Sequence, residues 1–333
     1  MAHLISEVSG RAEVFTAGQR PWHGLGVNVP DLVASAEALQ HAGLDWEVRQ
    51  AEVKFEAAQN TYAAPDRVVN YRWSEDGNAV YLGTVSKQYR IIQNRDAFDF
   101  FDDVIGRKEA IYESAGAIRN GKRVWILAKL NRDMVVRTPG GEDVVEKYLL
   151  LTNGHDGAFG CRMFFTPIRV VCNNTLTAAL RDASTGIFIA HRGNIKNKVE
   201  EAVRTLNIAN KFYSSMGDVF QQMAEFPVTK KMAQKYFNDI IPIGKLEGKA
   251  KSNAVFTRDL MMENFEHGAG STLAADTLWG AYNAVSQYAD HQRFMFHPSR
   301  SEHGKFESVV WGDSAQIKGR AFEYANALLT SGS

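Results

Sequence analysis

Three times in its first half, the chain places a tight-turn signal between two strand-like segments. "SEDGN" joins "RVVNYRW" to "NAVYLGTVS", "NGK" joins "EAIYESAGAIR" to "RVWILAKL", and "PGGED" joins "DMVVRT" to "VVEKYLLLTNG". An Asn-Gly turn between alternating segments is the strongest short-range signal for a β-hairpin. The pattern predicts antiparallel hairpins, of which the last two form a meander of about four strands. An alternating segment at 46–55 predicts one further strand.

Helices are predicted on both sides of the meander. Residues 35–44 and 94–106 each combine a polar cap signal with apolar spacing and a closing glycine. After the last strand, Thr166 suits an N-cap and Pro167 suits the first helical turn, where its missing N–H costs nothing. Because apolar residues then recur at helical spacing, "PIRVVCNNTLTAALR" is predicted to be an amphipathic helix that follows the sheet directly.

The later part of the chain is predicted to be helical. Helices are expected at residues 194–226, 229–241, 276–293 and 314–329, with a Gly/Lys-rich linker at 242–253. The predicted fold class is α+β, an antiparallel β-meander packed by helices, with a helical C-terminal part. We expect three regions: an N-terminal extension (1–60), an α+β core domain (61–226) and a helical C-terminal region (227–333).

Composition places the chain among ordinary globular proteins. With 333 residues, of which 45% are hydrophobic and 23% charged, it can bury a sizeable core. The 38 basic and 38 acidic residues cancel, which excludes a uniformly basic coat but not local basic patches. We see no signal-peptide pattern, no apolar run near the roughly 18 residues of a membrane span, and only two cysteines. We therefore expect a soluble cytoplasmic protein without a cofactor or membrane contact.

Charge is distributed unevenly along the chain. Residues 1–60 hold four basic and eight acidic residues, a net charge of −4, whereas residues 161–211 hold eight basic and three acidic ones, a net charge of +5. Residues 227–260 hold seven basic and three acidic residues, a net charge of +4. The middle and later parts are therefore suited to a polyanion, although solvated helix faces give the same pattern.

The loop "NGHDGAFGCR" has three possible interpretations. Its glycines permit positive φ angles in a turn that ends a strand, or its backbone N–H groups hold a phosphate beside Arg162. The third interpretation is catalysis by His155 and Asp156, but adjacent residues of an extended chain point to opposite faces. The loop lacks the Lys-Ser/Thr ending of a P-loop, and the chain has no G-x-S-x-G motif. We therefore expect no enzymatic activity.

Metal binding is not expected either. His291, His297 and His303 are spaced six residues apart, which does not match the i,i+4 spacing of ligands on a helix. Asp99 and Asp103 share a predicted helix face, but no other carboxylate motif accompanies them. A solvated helix face explains these acids equally well.

Aromatic and cationic side chains are mixed at two places. "SKQYRIIQNR" holds Lys87, Tyr89 and Arg90, and "CRMFF" holds Arg162. Bases stack on aromatic rings while phosphates pair with cations, so this mixture suits single-stranded nucleic acid. Ordinary amphipathic strands have the same composition, and both interpretations stay open.

Several long motifs, in order along the chain, resemble a known family. They are "RPWHGLG", "YLGTVSKQYRIIQNRDAFDFFDDVI", "LLTNGHDG", "FTPIRVVCNNTL", "HRGNI" and "LWGAYNAVSQYADH". They are similar to the phage/plasmid-like protein family, catalogued as domain of unknown function 932, over roughly residues 20–295. The resemblance implies a protein of a mobile element in the cytoplasm of its host cell, without an established reaction.

The order of short helix, strand meander and Arg-bearing helix is also similar to that of Rad-fifty-two-type single-strand annealing proteins. Those proteins form rings that hold single-stranded DNA in a basic groove. The resemblance implies a homo-oligomer, possibly a ring, and nucleic-acid contacts by Arg162, Arg169 and Arg181, with Lys87, Tyr89 and Arg90 contributing from the preceding strand. We also expect Arg192 and Lys196 to contact nucleic acid. The predicted function is single-stranded DNA binding or annealing in recombination. The alternative is a host-directed, anti-defence interaction protein that uses its acidic N-terminal segment and exposed aromatics such as Trp22.

Overall fold

A large sheet, a small three-stranded sheet and a group of C-terminal helices make up the computed structural model of the protein. The structure describes residues 5–17, 25–30, 33–105, 111–130, 133–158, 160–169, 174–175, 186–189, 191, 214–244, 246–295, 308–309 and 312–331. The predicted α+β class is confirmed, because antiparallel strands dominate the first half and helices form the C-terminal part.

The strands are short near the N-terminus and long in the centre of the chain. In chain order they are β1 (Glu7–Val8), β2 (Arg11–Ala12), β3 (Val14–Ala17), β4 (Val27–Val29), β5 (Arg49–Ala57), β6 (Asn60–Trp73), β7 (Ala79–Ser86), β8 (Ile111–Ile118), β9 (Arg123–Lys129), β10 (Met134–Thr138), β11 (Gly141–Gly154), β12 (Cys161–Arg169), β13 (Asn174–Thr175) and β14 (Gly186–Ile189). The three predicted hairpins are confirmed as β6-β7, β8-β9 and β10-β11.

The large sheet is built on the predicted meander. Its order is β13-β12-β11-β9-β8-β3-β4, and β8, β9, β11 and β12 pair in antiparallel fashion. Val145 of β11 pairs with Met134 of β10 and with Arg169 of β12, so β10 lies on the same side of β11 as β9. β3 pairs with β8, and β4 runs parallel to β3, so strands from the first thirty residues are part of this sheet.

The helices mostly lie where helical spacing predicts them. They are α1 (Ser35–His41), α2 (Asn94–Ile105), α3 (residues 214–225), α4 (Lys230–Ile240), α5 (Gly248–His267), α6 (Leu278–Gln287) and α7 (Asp313–Ser331). α6 continues through a π-helical turn at Tyr288–Gln292. Thr229 and Thr277 cap α4 and α6, because each side chain accepts a hydrogen bond from a backbone N–H of the first turn. Of the predicted helix 194–226, only residues 214–226 lie within the described residues.

The two larger of three hydrophobic clusters among the described residues join these elements. In the first, α1 and α2 cover one face of the large sheet, so that Phe15, Phe98, Phe101 and Tyr112 are buried together. The second cluster joins the C-terminal helices to Val136 and Val145 of the sheet. Burial of a large apolar side chain contributes about 1.5–3 kcal/mol, so both clusters contribute strongly to folding.

One buried hydrogen bond fixes the helices to the sheet. Trp279 of α6 is fully buried, and its Nε1 donates to Asp143 Oδ2 of β11 at 2.8 Å. A buried indole N–H needs such an acceptor, because an unpaired buried donor costs about 1–3 kcal/mol. The C-terminal helices therefore have a fixed position against β11.

The three-stranded sheet has the order β5-β6-β7, and among the described residues it contacts the large sheet at one end. Asn70 and Arg72 of β6 are buried against the large sheet, whereas β7 pairs only with residues 67–73 of β6. Residues 53–66, which we call the arm, therefore extend as a two-stranded hairpin of β5 and β6. Nearly every residue of the arm is exposed.

The helix predicted after the meander is wrong in its described part. Thr166 and Pro167 continue β12, where they pair with Tyr148 and Lys147 of β11. Proline is tolerated there because, among the described residues, β13 pairs only with Ile168 and Arg169 and β14 only with Cys161 to Phe164. Asn174 and Thr175 form β13 rather than a helical turn.

The predicted linker at 242–253 is also wrong at its C-terminal end. Helix α5 begins at Gly248 and includes the lysines that follow, so residues 241–247 connect α4 to α5. The glycines and lysines of this segment suggest a loop by composition, but lysine is a good helix former. Among the helices that the structure describes, none has the length and apolar character needed to cross a bilayer.

Candidate nucleic-acid interface

A groove of about 410 Å³ lies between the three-stranded sheet and the outer strands of the large sheet. Arg67 of β6 and the end of β7 form one wall. The glycine-containing loop at 157–160 forms another, and Arg162 and Phe188 close the groove from β12 and β14. Tyr89 and His191 also line the groove, so it combines aromatic rings with two guanidinium groups.

Tyr89 and His191 form a stacked aromatic pair. Their ring centroids are 4.5 Å apart with an angle of 15° between the planes, and Tyr89 Oη donates to Gly154 O at 2.7 Å. His191 Nδ1 lies 3.0 Å from Arg90 O; since a carbonyl only accepts, Nδ1 carries the proton. Burial raises the pKa of Tyr89 and lowers that of His191, so both rings are uncharged at neutral pH.

The second nitrogen of His191 gives the groove an unused acceptor. Nε2 is buried and has no hydrogen-bond partner among the described residues. In the tautomer set by Arg90 O, this atom accepts rather than donates. A ligand with an N–H or O–H donor, such as a base amino group or a sugar hydroxyl, satisfies it.

Arg162 and Phe188 are brought together by strand pairing. The two residues lie opposite each other in β12 and β14, and the guanidinium carbon is 5.5 Å from the centroid of the Phe188 ring. The ring of Phe188 remains 56% exposed, which is unusual for a large aromatic side chain. An exposed ring beside a guanidinium offers a stacking surface and a phosphate partner at one place.

The loop of the groove is held tightly against β7 by two glycines. Gly157 has φ of +76°, and a Cβ there would lie 2.6 Å from Val85 Cγ1; a Cβ on Gly83 would lie 2.7 Å from Asp156 Cα. Asp156 stabilises the turn, because its Oδ1 accepts from Ala158 N at 2.9 Å. The glycines thus permit the loop to approach β7 closely. This agrees with the first interpretation of the loop, a turn that ends a strand.

His155 lies on the opposite, buried side of the same loop. It is fully buried, its Nε2 is 3.0 Å from Asn94 Oδ1, and its main-chain oxygen accepts from Asn70 Nδ2 at 2.8 Å. Since Asn94 Nδ2 donates to Leu44 O, the Asn94 oxygen accepts and His155 Nε2 donates. Burial lowers the pKa of His155 to about 3, assisted by His191 and Arg72, so the ring stays neutral.

An ion pair completes this buried region. Arg72 and Glu13 form a bidentate pair, in which Arg72 Nη2 lies 2.9 Å from Glu13 Oε2, and Arg72 stacks on Trp46 at 4.2 Å. Burial raises the pKa of Glu13, although Arg72 opposes that shift. We call Glu13, Asn70, Arg72, Asn94 and His155 the buried joint, because they connect β6, α2 and the loop after β11 to the large sheet.

The electrostatics of the groove allow an incoming phosphate to displace existing partners. Arg67 Nε lies 3.5 Å from Asp66 Oδ2, but both side chains are more than half exposed. An exposed pair of this kind is worth about 0–1 kcal/mol. Asp156, the acid beside the groove, is paired with Arg123 at 3.5 Å, and both are largely buried. Arg67 is therefore the guanidinium of the groove whose ion pair with Asp66 is exposed and weak.

The predicted contact residues are only partly brought together. Tyr89 and Arg162 line the groove, and Lys87 and Arg90 are exposed beside groove-lining residues. Arg169 lies at the other end of β12, opposite Val145. Three predicted contacts lie outside the described residues: Arg181, Arg192 and Lys196. Because β12 replaces the start of the predicted helix, Arg169 lies on a strand instead of on the Arg-bearing helix that the resemblance implies.

Three residues of the groove were missed by sequence reasoning. Arg67 begins a predicted strand without a distinguishing neighbour, and Phe188 reaches Arg162 only through the pairing of β14 with β12. His191 belongs to "HRGNI", which was recognised as a family motif but not as a site. Contacts between segments far apart in sequence leave no local signal.

The structure describes no arrangement suited to metal or thiol chemistry. Within the described residues, no group of three or more His, Cys, Asp or Glu side chains is placed to hold a metal ion. Asp102 accepts hydrogen bonds from the hydroxyls of Ser35 and Tyr112. Burial raises the pKa of the Cys161 thiol to about 12, so it is protonated at neutral pH. His297, His303, Asp103, Cys172 and Trp22 lie outside the residues whose side chains are described.

Comparison with known proteins agrees with the family that the sequence motifs indicate. The model of one family matches residues 81–311, which is more than half of the chain and includes most of β7, β8 to β14 and most of the C-terminal helices. No curated protein and no solved structure matches the chain significantly. The motif "RPWHGLG" precedes the matched range. The chain belongs to the family described as Domain of unknown function (DUF932).

Proposed function

We propose that the protein binds single-stranded nucleic acid, and single-stranded DNA in particular, in the groove around Arg162. The observation that carries this proposal is the pair formed by the exposed Phe188 ring and the Arg162 guanidinium, 5.5 Å apart at the edge of the groove. Unpaired bases stack on aromatic rings, and their phosphates pair with neighbouring cations. This combination supports a nucleic-acid ligand more strongly than a small metabolite.

The mechanism is electrostatic with stacking support. Phosphates contact Arg67 and Arg162, a base stacks on Phe188, and His191 Nε2 accepts a hydrogen bond from a base or sugar. Exposed Lys87 and Arg90 extend the positive charge along the chain next to the groove. Each phosphate contact releases condensed counterions, so the affinity falls with salt by a slope of about −0.7 per contact in a log–log plot.

The wider role that we propose is that of a phage or plasmid factor for annealing or recombination. It acts in the host cytoplasm as a homo-oligomer, possibly a ring, and makes or breaks no covalent bond. The support is the family resemblance and the meander. The similarity to Rad-fifty-two-type annealing proteins is weakened by the structure, because residues 166–169 are strand instead of the start of a helix. The groove geometry, rather than that similarity, is the basis of the proposal.

The test is fluorescence anisotropy with a labelled single-stranded DNA oligonucleotide at several salt concentrations. We expect Phe188→Ala to weaken binding by about five- to 150-fold, since stacking is worth about 1–3 kcal/mol per base, and to leave the salt slope unchanged. We expect Arg162→Ala to reduce that slope by about 0.7 as well as the affinity. The two variants thus separate stacking from phosphate contact.

Matched controls are available on other surfaces. Arg137→Ala removes an exposed guanidinium from β10, and Phe256→Ala removes an exposed ring from α5. Both control variants should bind as the wild type does. Failure of the wild type to bind at low salt, or equal binding by all four variants, contradicts the proposal. The host-directed alternative is then favoured if host proteins are captured by the chain and retained after nuclease treatment.

A further inference from the structure

The alternation of apolar and polar residues in β5 predicts a covered face, but the described residues leave that face exposed. Ala51, Val53, Phe55 and Ala57 alternate with polar residues, which is the pattern of a strand with one covered face. In the structure every residue of β5 except Val53 is exposed, and the exposed fractions of Phe55 and of Tyr62 in β6 are 53% and 46%. The two rings stack on each other at 5.6 Å, yet nothing among the described residues covers them. Within the part of the chain that the structure describes, the apolar face of β5 therefore has no covering partner.

The outer edge of β5 is also open. β5 pairs with β6 on one side, and among the described residues no strand pairs with its other side. A nine-residue strand with an unpaired edge offers a row of backbone donors and acceptors to another strand. Proteins usually protect such an edge with charged residues or a β-bulge. β5 carries both signs of charge, and its register with β6 shifts between Glu52 and Lys54.

Two charges on this strand have no internal partner. Glu52 and Lys54 are exposed, and they lie opposite Val68 and Ala63 of β6, which are apolar. Neither residue has an ion-pair partner among the residues that the structure describes. Cross-strand pairs of opposite charge stabilise a sheet, and like charges placed opposite each other destabilise it.

We propose that β5 pairs in antiparallel fashion with β5 of a second copy of this chain, around a two-fold axis at Val53. In this register Glu52 lies opposite Lys54 of the second copy, and Lys54 lies opposite Glu52 of the second copy. Phe55 lies opposite Ala51 of the second copy on the same face. The two small sheets become one six-stranded sheet with a continuous apolar face across the axis.

The charges also disfavour two neighbouring registers, whereas an axis at Phe55, which would pair Lys54 with Glu56 of the second copy, is distinguished by the Glu52→Lys variant. A two-fold axis at Lys54 would place Lys54 against its own copy and Glu52 against Glu56, and an axis at Glu52 would oppose two glutamates. The pairing is isologous and closes at two copies, so a ring needs a second interface. The inference does not depend on the proposed nucleic-acid binding, because pairing of β5 involves no groove residue.

The test is a charge-swap series on the full chain, treated with nuclease and measured by sedimentation or light scattering over a range of concentrations. The wild type should show twice the chain mass of 37.1 kDa. Glu52→Lys and Lys54→Glu each place like charges opposite each other at both symmetric positions, so each should weaken self-association about tenfold or more. The double variant Glu52→Lys/Lys54→Glu should recover the dimer.

A mixture of the two single variants is the most specific test of this pairing. Equimolar Glu52→Lys and Lys54→Glu chains should associate with each other, because both cross-strand pairs are again of opposite charge. This recovery also shows that neither single variant is misfolded. Asp76→Lys is the matched control, since it changes an exposed charge in the β6–β7 turn of the same sheet and should leave the dimer intact.

Three outcomes overturn the inference. They are a wild type at 37.1 kDa at every concentration, an assembly that neither single variant weakens, and single variants that fail to associate when mixed. A monomeric wild type that instead captures a host protein through the arm also overturns it. A larger assembly that both single variants reduce in mass supports the β5 contact and requires a second interface.

Discussion

The buried joint and the groove lie on opposite sides of the same loop, yet their side chains are constrained in different ways. His155 is fully buried, with its ring and main chain hydrogen-bonded to Asn94 and Asn70. Seven residues later, Arg162 lines an open groove beside the exposed ring of Phe188. One motif rich in His, Asp, Gly and Arg therefore supplies a buried group on one side of the loop and lines the proposed binding groove on the other.

The largest change in the free energy of unfolding is expected from breaking the ion pair between Arg72 and Glu13 in the buried joint. Arg72→Met leaves the Glu13 carboxylate buried without its partner, which should lower the free energy of unfolding by about 3–5 kcal/mol. Urea denaturation measures this change. Nucleic-acid affinity should change little under conditions in which the variant is folded, because Arg72 does not line the groove.

A double variant distinguishes a lost pair from lost packing. Arg72→Met/Glu13→Leu removes both charges and should recover part of the lost stability, since a buried ion pair is often replaced by apolar residues at little cost. If the double variant is less stable than Arg72→Met, the stacking of Arg72 on Trp46 is the dominant contribution instead.

A smaller change in the free energy of unfolding is expected when the pH is lowered, because His155 takes up a proton only on unfolding. Burial holds its folded pKa at about 3, whereas an unfolded histidine titrates near 6.5, so the unfolded state takes up a proton that the folded state does not. The free energy of unfolding should therefore fall as pH decreases through 6.5 towards 3, by about 2 kcal/mol between pH 7 and pH 5. Urea denaturation at both pH values measures this slope.

His155→Gln supplies the reference for that slope. Glutamine keeps a donor for Asn94 but does not titrate, so the variant should show a weaker loss of stability between pH 7 and pH 5 than the wild type does. Equal slopes in the two proteins would assign the pH dependence to other groups. His191, whose pKa is also lowered by burial, titrates in both proteins and cancels in the comparison.

The sequence predicted those parts of the fold that depend on local chemistry. The Asn-Gly turn at 120–121 and the spacing of Phe98 and Phe101 identified β8-β9 and α2, because turn geometry and helical periodicity involve neighbouring residues. The prediction of a helix that starts at Thr166 is wrong. Thr166 and Pro167 suit a helical N-terminus, but they suit equally well a strand position that is paired on one side only among the described residues. Which one forms depends on pairing with β11.

The candidate site was less predictable than the fold for the same reason. Tyr89 and Arg162 were predicted from local aromatic and cationic composition, and they line the groove. Phe188 and His191 join them only through β14 and the contact with Arg90, which connect distant segments. A single sequence contains no record of such long-range pairing.

A third prediction concerns Gly157, at the boundary between the two sides of the loop. Gly157→Ala adds a Cβ at φ of +76° and 2.6 Å from Val85 Cγ1, and should cost about 1–2 kcal/mol of stability. Gly77→Ala is the control, because Gly77 has a similar φ of +78° with nothing within 4 Å of its Cβ. Thermal or urea unfolding of both variants separates backbone strain from the steric clash.

The steric clash in Gly157→Ala should also change the shape of the groove. Because Gly157 and Val85 both line it, displacement of the loop should weaken oligonucleotide binding, while Gly77→Ala should bind as the wild type does. If Gly157→Ala loses stability but retains full affinity, the loop does not help to shape the ligand site. Gly157 then contributes to stability and not to ligand binding.

The smallest stability change is expected on the open side of the loop, at Phe188. Its ring is 56% exposed, so Phe188→Ala should alter the free energy of unfolding by no more than about 0.5 kcal/mol while it reduces oligonucleotide affinity. Arg72→Met should show the reverse, a large loss of stability with little change in affinity. Measuring unfolding and binding for both variants decides whether the two sides are separate, because parallel losses in both quantities would mean that the groove and the buried joint form one cooperative unit.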